Sequence, residues 1–510
     1  MRRIALSLLH PVLLTLFPIL FLYAQNRPLV GASILLPTFA VVLPITLAAW
    51  ATAFLATRNS DKAALLASLF LLLFFGYGHF LNLFPSSPEQ PGVRRGYLTI
   101  AWLLPFLVAA VAVLRRRGDF HAITTFMTLF AAAVIAPAAA LLAGDLLRPA
   151  PAPPALAIPT PYTPPQTEAP DIYYIILDAY ARSDVLAQLY DYDNSDFIRQ
   201  LEAMGFYVAR RSRANYSLTH LSLASSLNMM YLQDIVPRED DLTWTSAAIL
   251  DRLHHSTVLA FLKSRAYTFV AFGTGFYSTE MPHADVYLHP TMNISDFHAT
   301  LLRTTPISLA WNTLPRTPYD YHRERVIYTL QQVANLSHIP SPLFVYAHVG
   351  APHRPFVFGA NGEPLAESRP FTLEEGQADL GTEEYIVRYR NQLHFLNSLI
   401  LQTLRSLRER SERPMIIILQ SDHGPGSFSN WENPRNADLI ERMSILNALY
   451  LPGSTYPLHE DMSPVNTFRV ILNHYFGTQL EILPDQSYFS PLRNPHAFID
   501  VPPLDITQSS

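Results

Sequence analysis

The sequence predicts an α/β domain with a mostly parallel central sheet flanked by helices, preceded by a bundle of five transmembrane helices. Three observations predict this. First, only 15% of the residues are charged against 49% hydrophobic, and mean hydropathy is +0.14. Soluble domains carry roughly 25% charged residues, so part of the 510-residue chain belongs in lipid. Second, residues 1–148 contain five long stretches almost free of charge. Third, beyond residue 170 short runs of β-branched and aromatic residues alternate with amphipathic segments, the pattern of βαβ units.

The five apolar stretches run roughly over 4–26, 29–57, 63–84, 97–114 and 120–144. Each is long enough to cross a hydrocarbon core of ~30 Å. Pro37 and Pro44 interrupt the second, which membrane helices tolerate. His10 and His121, near stretch ends, read as interfacial. A cleaved signal peptide is the alternative for the first stretch, but it is too long, lacks a small-residue cleavage site and is followed by four more spans. Positive charge sets the orientation. Arg2, Arg3, Arg58, Lys62, Arg115, Arg116 and Arg117 fall on one side, Arg27, Arg94 and Arg95 on the other. The N-terminus is therefore expected inside, and five crossings put everything after residue 148 outside the cytoplasm. The scarcity of charge within the spans argues against a transporter.

Residues 149–170 contain nine prolines, a composition that favours an extended spacer and builds no core. The outer domain is expected over 171–500, with a tail at 501–510 and weak order from about 485 onward. Strands are expected at 172–178, 267–272, 343–348, 415–420 and 446–451, with helices at Asp196–Gly205, Thr219–Leu232 and Tyr385–Arg408. About 330 residues suffice for one substantial core. No internal repeat is visible. The net charge of -5 is small for this size and argues neither for nor against a charged partner. Without a basic stripe interleaved with aromatics, nucleic acid is not an expected partner. The absence of cysteine excludes disulfides, thiolate metal sites and a cysteine nucleophile.

Three strand-like runs end in residues of metal-ligand type. Asp171–Asp178 ends in an aspartate. Leu343–His348 ends in a histidine, with His353 five residues on. Met415–Gly424 ends in Asp422-His423-Gly424. Runs of this kind read as strands buried on both faces of a parallel sheet, whose carboxyl ends form the edge where ligands bind. An aspartate after a strand also serves as a helix cap or turn former; convergence on a common edge is what favours a site. Two carboxylates and an imidazole suit one divalent ion, Zn²⁺ or Mn²⁺ ahead of the oxygen-seeking Ca²⁺ and Mg²⁺.

A nucleophile is offered by Asn215–Asn228, where Leu218, Leu221, Ala224 and Leu227 suggest a helix starting near Thr219. A hydroxyl there faces the positive end of the helix dipole, and metal coordination would activate it. The competing reading makes Thr219 or Ser217 an ordinary N-cap. His348 and His353, followed by Arg354-Pro-Phe356, are placed to bind anionic oxygens or protonate a leaving group.

At these residues the chain resembles the sulfatase-like branch of the alkaline phosphatase superfamily. Within it, the chain is most similar to the membrane-anchored lipoteichoic acid synthases and lipid A phosphoethanolamine transferases. The resemblance spans roughly 171–480 and extends to the layout of five membrane helices, linker and outer domain. It implies an alkaline-phosphatase-like fold in which Asp178, Thr219, Asp422 and His423 hold the metal. Thr219 is then the nucleophile, and His348 and His353 lie on the substrate side. Thr219-His-Leu-Ser222-Leu resembles the short motif around the transferase threonine. There are departures. The transferases usually have glutamate where Asp178 stands, and sulfatases usually have two adjacent aspartates, whereas Ala179 follows here. Sulfatases end their metal set in Asp-Asn and need a Cys or Ser oxidised to formylglycine in a motif ending in arginine. Ser222–Ser226 lacks that arginine, which disfavours true sulfatase activity. Asn466 and Arg469, within 463–488, read as structural.

The resemblance implies a metal-dependent sulfatase-like hydrolase or transferase. Its substrate would be a phosphoryl-linked head group on a membrane lipid or cell-envelope glycan, handled outside the cytoplasm. A phosphatase or sulfatase for a soluble extracytoplasmic ester is the alternative, and a non-catalytic membrane scaffold a further one.

Overall fold

The computed structural model describes residues 2–27, 30–84, 91–147, 169–235, 242–291, 294–309, 315–365, 371, 373, 380–428 and 430–503. Most of the proline-rich linker, and the last residues of the tail, lie outside the described residues. In chain order the helices of the first part are α1 (Arg2–Asn26), α2 (Leu35–Thr57), α3 (Ser60–Asn82), α4 (Pro91–Arg115) and α5 (His121–Leu147). There follow β1 (Asp171–Leu177), α6 (Ser183–Leu189), α7 (Ser195–Ala203), β2 (Tyr207–Val208), α8 (Thr219–Asn228), α9 (Leu232–Ile235), α10 (Leu242–His254) and α11 (Thr257–Lys263). Next come β3 (Thr268–Phe272), β4 (Val286–Leu288), α12 (Asp296–Arg303), α13 (Pro318–Val333), β5 (Leu343–Val349) and α14 (Thr382–Arg410). The chain closes with β6 (Met415–Gln420), α15 (Asn436–Met443), β7 (Asn447–Tyr450), α16 (Pro464–Phe476), β8 (Ser487–Phe489) and β9 (Ile499–Val501). It divides into two compact units, Met1–Ala150 with Phe297–Thr317, and Pro151–Asp296 with Pro318–Ser510.

In the first unit the five expected stretches are five helices, each long and apolar enough to cross a membrane. Their apolar side chains cannot by themselves favour one helix pairing over another in lipid, so buried polar pairs act as glue. His10 Nδ1 lies 2.7 Å from Ser68 Oγ between α1 and α3. Thr15 and Thr46 hydroxyls meet at 2.7 Å between α1 and α2, and Tyr77 and Thr99 at 2.7 Å between α3 and α4. His10 is thus a packing residue, fully buried. Phe297–Thr317 also belongs to this unit. The Gly78 N–H donates to Thr304 O at 2.9 Å, and a Cβ on Gly78 would stand 2.5 Å from Arg303 O. Only glycine permits that approach.

The second unit is built on a seven-stranded sheet in the order β2-β7-β6-β1-β5-β3-β4. Strands β6, β1, β5, β3 and β4 run parallel, whereas β7 and β2 join antiparallel at one edge. The three central strands are buried along their whole length, the reason they carry unbroken apolar runs. On one face Ile172, Tyr174 and Ile176 cluster with Phe344, Tyr346, Ile416 and Ile418. Leu221 and Leu227 of α8 and Phe468 and Leu472 of α16 pack onto them. Each such side chain contributes roughly 1.5–3 kcal/mol on burial.

Two further expectations need correction, and two edge strands were not foreseen. The helix expected over Thr219–Leu232 is broken, because Met229 adopts φ 58° and ends α8 before the separate turn α9. The edge strands β2 and β4, two and three residues long, were too short to leave a periodic signal. The segment from 485 is not weakly ordered up to residue 503. β8 and β9 pair there, and the segment holds the loop leading to Thr219, where Tyr488 N–H donates to Asn215 O at 2.8 Å and Ser490 N–H to Ser217 Oγ at 2.9 Å.

Candidate metal centre and active site

Strand register brings the carboxyl ends together. Ile176 pairs with His348 on β5 and with Gln420 on β6. Asp178 and Asp422, each two residues further on, leave the sheet at the same level, and His348 approaches from the other neighbour. The turn after β1 is strained to achieve this. Ala179 sits at φ 63°, a left-handed conformation that costs a non-glycine residue of order 1–3 kcal/mol. It is held by Tyr389, whose hydroxyl donates to Ala179 O at 2.8 Å and accepts from Ala181 N–H at 3.1 Å.

Asp178, His348 and Asp422 are buried, with one ligand atom each lying within 4.8 Å of the other two. His348 Nε2 is 3.4 Å from Asp178 Oδ2. His423 Nε2 is 3.6 Å from Asp178 Oδ1 and 3.2 Å from Asp422 Oδ2. Asp178 Oδ1, Asp422 Oδ2 and His348 Nε2 have no hydrogen-bond partner, although buried polar atoms normally have one. His423 Nδ1–H donates to Gly424 O at 3.0 Å, so in the neutral ring Nε2 presents a lone pair to two carboxylates. Such an arrangement asks for a cation at its centre, and a divalent metal fits it. Burial alone would raise the Asp178 carboxyl's pKa. His353, His348 and His423 outweigh that and hold it below the usual carboxylate range, so Asp178 is an anion at neutral pH.

Thr219 opens α8 at its first helical position, with Leu218 as the N-cap residue and no side-chain cap bond. Neither N-cap reading holds, since Ser217 Oγ accepts instead from Ser490 N–H. Thr219 Oγ1 lies 2.9 Å from His423 Nε2, at the edge of the acidic cluster. Arg442, fully buried, steadies both approaches: Nε donates to Ser217 O at 2.7 Å and Nη1 to Gly424 O at 3.0 Å. Gly424 passes so close to α15 that a Cβ would stand 2.0 Å from Glu441 O. His353 lies with its ring 6.1 Å from that of His423. Gln392 of α14 pins its loop, Nε2 donating to Pro352 O at 3.1 Å and to His353 O at 3.2 Å.

The six residues singled out in the sequence are therefore linked in one buried cluster: Asp178, His348 and Asp422 together, His423 against both carboxylates, and Thr219 and His353 beside His423. Sequence reasoning missed those that hold them: Tyr389, Gln392, Arg442 and Thr279, whose hydroxyl is 3.0 Å from His348 Nδ1. None carries a local motif. Asn466 and Arg469 bind neighbouring chain segments. Asn466 Nδ2 donates to Leu483 O and Asp485 Oδ1 at 2.8 and 3.1 Å, and Arg469 Nε to Met229 O at 2.8 Å.

Similar solved structures include the C-terminal periplasmic domain of EcEptC from Escherichia coli in complex with zinc. It is 12% identical with a TM-score of 0.45, over 68% of this chain and 96% of that one. The integral membrane lipooligosaccharide phosphoethanolamine transferase A (EptA) from Neisseria meningitidis is 13% identical, TM-score 0.38, over 87% and 88%. BT1596, a 2-O GAG sulfatase, is 12% identical, TM-score 0.38, over 64% and 74%. No curated protein matches the chain. The sulfatase family model matches residues 170–467, a stretch that takes in β1, the Thr219 helix, His348, His353 and the Asp422-His423 pair. The chain belongs to the sulfatase family and is a sulfatase-like hydrolase or transferase.

Proposed function

We propose that the chain is a metal-dependent phosphotransferase or phosphodiesterase acting on a phosphoryl-linked head group of a membrane lipid or cell-envelope glycan, with Thr219 as nucleophile. The observation that carries this reading is the Thr219 hydroxyl at the start of α8, which lies 2.9 Å from His423 Nε2 beside the two carboxylates. Asp178, Thr219, Asp422 and His423 would hold the ion, and His353 stands on the substrate side. When bound, Zn²⁺ or Mn²⁺ supplies a Lewis acid that makes the hydroxyl more acidic and offsets charge on the phosphoryl oxygens.

Thr219 Oγ1 attacks phosphorus in line, forming a covalent phospho-threonine as the bond to the leaving oxygen breaks. The α8 dipole favours the developing negative charge. His353 is placed to bind the phosphoryl oxygens or to protonate the leaving group. A second acceptor then removes the group. Water makes the protein a hydrolase, a glycan or lipid hydroxyl a transferase. Ahead of the catalytic domain stand five helices apolar enough to cross a membrane, which supports a membrane-associated substrate over a soluble ester.

Mass spectrometry of envelope lipids and glycans, from cells with and without the protein, tests the substrate. The expected result is one lipid or glycan class whose phospho-head-group content depends on the protein. No difference in any class, with turnover of a soluble ester instead, overturns the membrane reading. Topology is tested by itself: a reporter enzyme that works only outside the cytoplasm, fused after residue 170, is expected to be active. Activity of a cytoplasm-specific reporter at that junction reverses the orientation and removes the envelope substrate with it.

A further inference from the structure

The hydroxyl behind His348 carries information about what its other nitrogen does. His348 Nδ1 is 3.0 Å from Thr279 Oγ1, in the 3-10 turn Tyr277–Thr279 that follows β3. Thr279 is fully buried, and its one hydroxyl proton has two acceptors besides the imidazole: Thr274 Oγ1 at 3.0 Å and Phe276 O at 3.1 Å. Thr274 is committed in turn, donating to Phe276 O at 2.9 Å and accepting from Phe276 N–H at 3.1 Å. The arrangement that satisfies all three groups runs the protons from Thr279 to Thr274 to the Phe276 carbonyl. That leaves the Thr279 oxygen as an acceptor, and the N–H it accepts is that of His348 Nδ1. In the neutral ring Nε2 is then unprotonated. Nε2 is buried, has no hydrogen-bond partner, and faces Asp178 Oδ2 at 3.4 Å within the Asp178–His348–Asp422 cluster.

We propose that Thr279, backed by Thr274, is a positioning residue that locks His348 in its Nδ1–H tautomer and thereby makes His348 a metal ligand. The resemblance put His348 on the substrate side; the hydroxyl pair moves it to the metal. A ligating imidazole needs an acceptor for its other N–H, and losing that acceptor typically costs about 10–100-fold in metal affinity. His353 differs in that its Nδ1–H donates to a carbonyl of its own loop, that of Arg354. The inference rests on the metal-centre reading of this pocket.

The test uses full-length protein in detergent, with Zn²⁺ affinity measured by chelator competition and the visible spectrum recorded after loading with Co²⁺. Thr279→Val, close in shape but unable to accept, is expected to bind Zn²⁺ about 10–100-fold more weakly. Thr279→Ser should restore wild-type affinity. His348→Ala should weaken Zn²⁺ at least as much and alter the Co²⁺ spectrum, and adding Thr279→Val to it should cost nothing more. A purely structural role for Thr279 would instead give additive losses, with no rescue by serine. Wild-type affinity and an unchanged Co²⁺ spectrum in His348→Ala, or additive losses, overturn the proposal. Asp178→Ala and Asp422→Ala separate the two readings. If they too bind metal normally the metal centre itself is wrong; if they lose metal while His348→Ala keeps it, only the assignment of His348 fails.

Discussion

Thr219→Ala is expected to abolish turnover, by about 10³-fold or more, the scale on which loss of a covalent nucleophile acts. The fold should survive. Thr219 is not the N-cap residue of α8, a place Leu218 takes, and its bond to His423 is worth only about 1 kcal/mol to stability. Thr219→Ser keeps a hydroxyl at the start of α8 and should retain part of the activity. During turnover of a slow phosphodiester, the peptide spanning Asn215 to Asn228 should gain the mass of a phosphate or phospho-head group on Thr219. Full activity in Thr219→Ala would sink the covalent mechanism and leave Thr219 a buried packing residue.

Asp178→Ala, Asp422→Ala and His423→Ala should each deplete bound metal, by more than the ~10–100-fold that losing a residue behind a ligand costs, and activity should fall with it. Elemental analysis of purified protein reads the metal directly, and circular dichroism confirms the fold. His353→Ala should impair turnover with metal retained, as expected of a group that binds phosphoryl oxygens or protonates the leaving group. A triple variant of Asp178, Asp422 and His423 that holds metal as well as wild type would show that the convergence of these strands serves something else.

Periodicity and composition made the large features legible. Five long apolar stretches predict helices able to cross a membrane, since backbone N–H and C=O groups in lipid must be satisfied within the segment. β1, β5 and β6 could be read to within a residue because a strand buried on both faces has no room for polar side chains. That rule also made Asp178, His348 and Asp422 conspicuous, as the first ionisable groups where each run stops. Elsewhere the local signal failed. β8 and β9 lie among prolines and polar residues, and they are ordered by what they hold, the backbone of Asn215 and the Ser217 hydroxyl. The helix from Thr219 continued in pattern past Met229, but a left-handed residue ended it.

The sequence by itself determined the ingredients: the membrane segment, the parallel strands and the ligand-type residues at their ends. Hydrophobic burial and chain periodicity act locally, so both are written in consecutive residues. The tertiary structure decided the register that levels Asp178 with Asp422 and the turn that strains Ala179. It alone set the bond from Thr219 to His423 in place of a helix cap, and the hydroxyl pair that chooses which nitrogen of His348 bears the proton. Those depend on atoms tens to hundreds of residues apart meeting within 3 or 4 Å, and no local pattern encodes such a meeting.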